Sequence, residues 1–189
     1  MVSAPVPSFQ VHRSGFGLAL GVLFVVVGAL MVVDGVTHTA SGHAGVVALL
    51  GVALIAMSVV FGLRPSVAET PAGVVVNNPL RTTSVPWTRL TDADVSDVLR
   101  IHASEQVVRC YAIPRKGRPG ARSMVPGSAP GSRPRSPDFI ASRLTELAER
   151  ERVGQYDVSE VRTLWSPIAV GAVALAAVAC SIALGGALL

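Results

Sequence analysis

GFGLALGVLFVVVGALMVV (residues 15–33) contains no charged side chain, and the same holds for AGVVALLGVALIAMSVVFGL (residues 44–63) and PIAVGAVALAAVACSIALGGALL (residues 167–189). At about 1.5 Å rise per residue each would form a helix of roughly 28 to 35 Å, matching a bilayer's ~30 Å hydrocarbon core. Buried helices of soluble proteins seldom run so long without a charge, and the rest of the chain is too short to shield three of them from water. The expected class is therefore an α+β membrane protein with three transmembrane helices. The first run is too long for a signal-peptide core and a second span follows at once, so it is read as an uncleaved anchor.

The remaining charge is concentrated. Half of the 189 residues are hydrophobic and 15% are charged, and 15 of the 16 Lys and Arg and 11 of the 12 Asp and Glu lie between Arg64 and Arg162. That segment carries the formal net charge of +4 and is long enough for one small domain. Only Lys116 among the basic residues is not Arg, a coding pattern of GC-rich genomes. Cys110 falls in an expected strand and Cys180 in the third apolar run, so neither a disulfide nor a metal-binding spacing is expected.

Arg13 precedes the first span and Arg64 follows the second, while the loop at 34–43 holds no Lys or Arg. Arg150, Arg152 and Arg162 approach the third span. The positive-inside rule then puts the N-terminal tail (1–14) and the central segment in the cytoplasm of a multi-pass plasma-membrane protein, with the C-terminus outside. Trp165 stands just before the third span, where an indole ring rests at the headgroups and sets depth. Gly17 and Gly21 form a Gly-x-x-x-Gly pair, Gly28 lies one heptad on, and Gly171, Ala174, Ala177 and Gly185 offer small residues in the third span. Such residues allow close helix contact, either among the spans of one chain or with a second copy or partner. The only polar side chains in the spans are Ser58, Cys180 and Ser181, which gives a transport path nothing to work with.

The segment 64–114 reads as β structure. Val74–Val76 sits between Gly73 and the turn Asn77-Asn78-Pro79, and Leu80–Trp87 carries Thr82, Thr83 and Val85. Two further strands follow, Val95–Ala103 with Leu99, Ile101 and Ala103 on one face, and Val107–Ile113 after a turn at 104–106. With a short strand at 65–69 this makes about four to five antiparallel strands. Asp92, Asp94 and Asp97 read as a solvated strand-entry loop. Residues 115–136 are dominated by Pro, Gly, Ser and Arg and read as a disordered basic linker. An amphipathic helix is expected at 137–153, with Pro137 at its first position and Ile140, Leu144 and Leu147 as its apolar stripe. A juxtamembrane segment (154–166) leads to the third span.

The run Gly73-Val-Val-Val-Asn-Asn-Pro-Leu-Arg-Thr-Thr-Ser-Val-Pro-Trp87, followed by strands ending at Tyr111-Ala-Ile-Pro114, resembles the bacterial PH-like domain of actinobacterial membrane proteins of the low molecular weight protein antigen 6 type. In that family two hydrophobic segments precede a small PH-like β domain whose second strand carries Asn-x-Leu-Arg-Thr and ends in Val-Pro-Trp. The resemblance covers about Arg64–Pro114 and implies a small cytoplasmic PH-like domain. It transfers no catalytic or ligand residue, and the linker and third span depart from the family pattern.

Catalytic signatures are missing from the sequence. Asp34, His38 and His43 lack metal-site spacing, His102 shares a strand face with Arg100, and neither a nucleophile elbow nor a phosphate-binding Gly-rich loop is present. No enzymatic activity, cofactor or metal is expected. The basic residues Arg109, Arg115, Lys116, Arg118, Arg122, Arg133 and Arg135 lie beside the expected membrane, and anionic lipid is their nearest acceptor. The run lacks interleaved aromatics, so nucleic acid is not an expected partner. The expected function is a non-enzymatic membrane protein whose PH-like domain binds a protein partner or anionic headgroups at the inner leaflet. The alternative is a structural or assembly subunit held in a larger membrane complex by its spans, with homo-oligomer formation open.

Overall fold

A computed structural model of the chain describes residues 10–38, 43–104, 106–114, 137–152 and 160–187. The architecture is α+β: four α-helices, a five-stranded sheet and a three-stranded antiparallel sheet. The chain divides into two units, one built around the sheets and one around the apolar helices.

In the helical unit, α1 (Gly15–Thr37), α2 (Ala44–Ser58) and α4 (Pro167–Ala187) are the apolar helices. α2 continues as a π-helical turn, Val59–Leu63. All three stretches are long and apolar enough to cross a membrane. Ser14 caps α1, its hydroxyl oxygen accepting from the Gly17 amide at 3.2 Å. The first helix runs four residues past the expected end at Val33. Asp34 remains helical because its carbonyl accepts from the His38 amide, while its carboxylate meets the His38 ring at 3.1 Å.

The larger sheet runs β1 (Val11–His12), β2 (Ser66–Thr70), β3 (Gly73–Asn77), β4 (Arg81–Pro86) and β8 (Arg162–Trp165) in that order, and all of it belongs to the β unit except Arg81, Leu164 and Trp165, which group with the helices. The smaller sheet holds β5 (Leu90–Val95), β6 (Val98–Ala103) and β7 (Gln106–Pro114). β2 pairs with β3 through Val67↔Val76 and Glu69↔Val74, and β3 with β4 through Val74↔Val85. Gly73 opens β3 at φ +156°, where a Cβ would strike the Val85 carbonyl oxygen, so only glycine fits.

Among the described residues eight strands stand where four to five were expected, and three of the differences have identifiable causes. The stretch at 1–14, expected as a tail, contributes β1, a strand of only two residues that alternation cannot reveal. Asp92 and Asp94 lie in β5, not in a loop: they alternate outward around the buried Ala93, and acids depleted from most strands hid the period. β8 exposes all four side chains, so the expected juxtamembrane segment carried no inside–outside pattern to read.

One continuous core joins both sheets and the fourth helix, α3 (Pro137–Arg152). Val67, Val74, Val76 and Val85 come from the larger sheet, Leu90, Leu99, Ile101 and Cys110 from the smaller, and Ile140, Leu144 and Ala148 from α3. The amphipathic helix thus spends its apolar face closing the β unit. Trp87 is fully buried at the end of β4, its indole N–H donating to the Thr70 carbonyl at 3.0 Å.

Candidate functional site

The β5–β6–β7 sheet turns a polar face outward because its period-2 alternation sends Ala93, Leu99, Ile101, Val108 and Cys110 into the core. On that face Asp94 stands opposite Arg100, and Arg100 opposite Arg109. Two arginines directly across adjacent strands repel one another, an arrangement that favours an anion close by. Arg100 donates from Nη2 to the Ser96 hydroxyl at 2.9 Å, while its buried Nε has no hydrogen-bond partner among the described residues. His102 meets Asp94 at 2.7 Å. Arg109 is exposed, as are its face neighbours Val107 and Tyr111.

Asn78 fixes this strand. Its side-chain amide donates to the Arg109 carbonyl at 2.8 Å and accepts from the Tyr111 amide at 3.1 Å, imitating a paired strand. Neighbouring Asn77 donates to Ser66 and accepts from Thr82. The Asn-Asn pair of the sequence is therefore a joint between the two sheets as well as a turn. Arg115, Lys116, Arg118, Arg122, Arg133 and Arg135, the rest of the expected lipid-contact group, lie outside the described residues.

Glu69 is the residue that sequence reasoning missed. Its side chain is fully buried, with Oε1 2.9 Å from His12 Nε2 and 2.9 Å from Arg143 Nε, and Oε2 accepting from Arg143 Nη2 and the Gln10 amide, both at 3.2 Å. Burial pushes the Glu69 carboxyl up, but hydrogen bonds from His12 and Arg143 outweigh it and leave the group below its ordinary value. The same bond raises the Arg143 guanidinium. A signal did exist in the sequence: Val67 and Glu69 share one phase of the expected strand at 65–69, so an acid stood on the buried face and required a cation. The network ties β1, β2 and α3 together, and its carboxylate faces no open solvent.

In the helical unit, Gly21 and Gly28 are buried together with Gly35, seven residues apart on α1. A Cβ on Gly28 would lie 2.8 Å from the Gly51 carbonyl oxygen, and one on Gly21 would lie 3.0 Å from Gly62 Cα. These glycines are used within the chain. Gly17 is half-buried, with the Gly62 carbonyl 3.9 Å from a Cβ placed there. In the third helix Ala176 and Ala179 meet Ala53 and Ala56, whereas Ala174 and Ala177 are exposed and nothing lies within 4 Å of a Cβ on Gly171 or Gly185. Two residues, about 200° around the helix, separate the two alanine pairs, and sequence spacing alone does not choose between them. Trp165 ends β8, 57% exposed, with the Arg81 guanidinium 4.2 Å above its ring.

No group of three or more His, Cys, Asp or Glu that could hold a metal ion occurs among the described residues. Comparison with protein-family models, curated proteins and solved structures finds no match to this chain.

Proposed function

We propose that the chain is a non-enzymatic, multi-pass plasma-membrane protein whose PH-like β unit, together with the basic segment at 115–136, engages anionic lipid headgroups at the inner leaflet. The observation that carries this reading is the exposed Arg109 facing Arg100 on β7, the strand that leads directly into that segment. Juxtamembrane cations contribute about 1 kcal/mol each near an anionic surface, so a few suffice to hold the face against it. Packing within the helical unit supports the orientation: Gly21 lies against Gly62 and Gly35 against Ala44, so α1 and α2 run antiparallel and both ends of the helical hairpin belong to one side. Arg13 and Arg64 mark that side as cytoplasmic. Four consecutive strands in one sheet, three in the other and a closing helix support the PH-like reading. The subunit alternative draws less support, because Gly21 and Gly28 already face α2.

The test uses full-length protein in nanodiscs of phosphatidylcholine alone or mixed with phosphatidylglycerol. A fluorophore on Tyr111→Cys, with Cys180→Ala, reports quenching by nitroxide-labelled lipid. Cys110 stays unlabelled, because burial pushes its thiol up to about 12. Quenching that requires phosphatidylglycerol and fades as salt rises is expected. Equal quenching in both lipids, at any salt, overturns the reading.

A further inference from the structure

Within the helical unit the short turn at 79–81 is strapped to helix ends in three ways. Arg64, immediately after the π turn, donates from Nη1 to the Pro79 carbonyl at 2.6 Å, and the Ser166 amide donates to the Leu80 carbonyl at 2.9 Å. The third strap is Arg81, whose guanidinium lies over the Trp165 ring. Trp165 stands two residues before Pro167, where an apolar helix begins, and its neighbours Leu164 and Ile168 are 68% and 79% exposed.

Arg81 is itself exposed and takes part in none of the ion pairs among the described residues. A guanidinium carbon over an aromatic ring is held by the ring's π cloud, which accepts no conventional hydrogen bond and leaves N–H donors for another partner. That fork matches two oxygens of a phosphate. Indole rings beside a spanning helix sit at headgroup level, the depth at which lipid phosphates lie. The exposed apolar side chain of Ile168, in the first turn of the helix that follows the ring, suits an acyl chain of the same molecule.

We propose that Arg81, lying over Trp165, is a binding site for the phosphate of a membrane glycerophospholipid, with Ile168 against an acyl chain. This rests on the reading that the apolar helices cross a bilayer and is independent of the basic segment at 115–136. The site fixes a single lipid and differs in kind from diffuse attraction to a charged surface.

The test is native mass spectrometry of the full-length protein in detergent micelles supplied with phosphatidylglycerol or with the matching diacylglycerol, which lacks the phosphate. Wild-type protein is expected to retain the phospholipid over the diacylglycerol by about tenfold, the worth of a charge-assisted hydrogen-bonded pair. Arg81→Gln is expected to abolish that preference, and Arg81→Lys, which keeps the charge but not the fork, to retain a part of it. Neutralising Arg115, Lys116, Arg118 and Arg122 is expected to leave the preference intact, which separates this site from the headgroup reading above. An unchanged far-ultraviolet circular dichroism spectrum serves as the folding control for each variant. Equal retention by wild type and Arg81→Gln overturns the proposal and leaves the stack a packing contact. Displacement of the lipid by inorganic phosphate overturns the assignment to a membrane lipid.

Discussion

In the β unit the interior is filled by Trp87, Leu90, Leu99, Ile101 and Leu144, whereas α1 buries only Gly21, Gly28 and Gly35 and turns Phe16, Leu23, Phe24 and Leu30 outward. The two regions sort side chains by opposite rules. Water drives large apolar groups inside the β unit, where burying one is worth about 2 kcal/mol. The helices gain nothing by hiding leucine if their surroundings are as apolar as leucine, so backbone proximity through small residues holds them together instead. The inversion is the one expected of helices in an apolar environment, and it is read from packing and not from helix length.

The contrast can be broken by substitution. Trp87→Ala carries the largest expected effect, a loss of about 4 kcal/mol from the β unit, seen as a lowered denaturant midpoint while the helical signal of the apolar helices persists. Gly28→Leu comes next. Backbone of α2 stands where its side chain would go, so about 3 kcal/mol of helix-hairpin stability should be lost in micelle unfolding assays, with the β unit unaffected. Arg143→Ala leaves Glu69 buried with one cation fewer and should cost about 2 kcal/mol, less than a fully buried pair because Arg143 is partly exposed.

The same carboxylate sets an acid limit. Because the folded Glu69 binds its proton less readily than an unfolded carboxylate of pKa about 4.3, its contribution is complete above that pH. It is lost as pH falls through the lower folded value. Thermal unfolding from pH 6 downward should show a steeper acid decline for wild type than for Glu69→Gln, and identical slopes would remove Glu69 as the cause. The smallest effect belongs to Gly171→Leu, which meets open space and should change helix stability by less than about 0.5 kcal/mol. A large loss there would show that α4 uses that face against another chain.

Legibility in the sequence followed the same division. Uninterrupted apolarity revealed all three long helices, and the stripe Ile140, Leu144 and Leu147 revealed α3, because both signals are local. Alternation revealed β6 and β7 through Leu99, Ile101 and Cys110. It failed for β1 and β8, which take their places in the larger sheet through partners far along the chain, such as Ala68 opposite Val11. The partners of Glu69 were hidden for a related reason: His12 and Arg143 are 57 and 74 residues away, and nothing local marks either as a hydrogen-bond partner. Arg81 appeared only as part of a strand motif, since stacking on Trp165 is a tertiary fact.

The two-residue strand β1 also imposes an order on synthesis. Val11 and His12 leave the ribosome before α1, yet their partners Ala68, Val67 and Glu69 are made only after α2. The sheet and the carboxylate network close only after both helices have been made and the two flanks meet. A chain whose flanks fail to meet leaves Glu69 without His12 and the edge of β2 bare. Completion of the β unit therefore waits on the synthesis of the two helices it encloses in sequence.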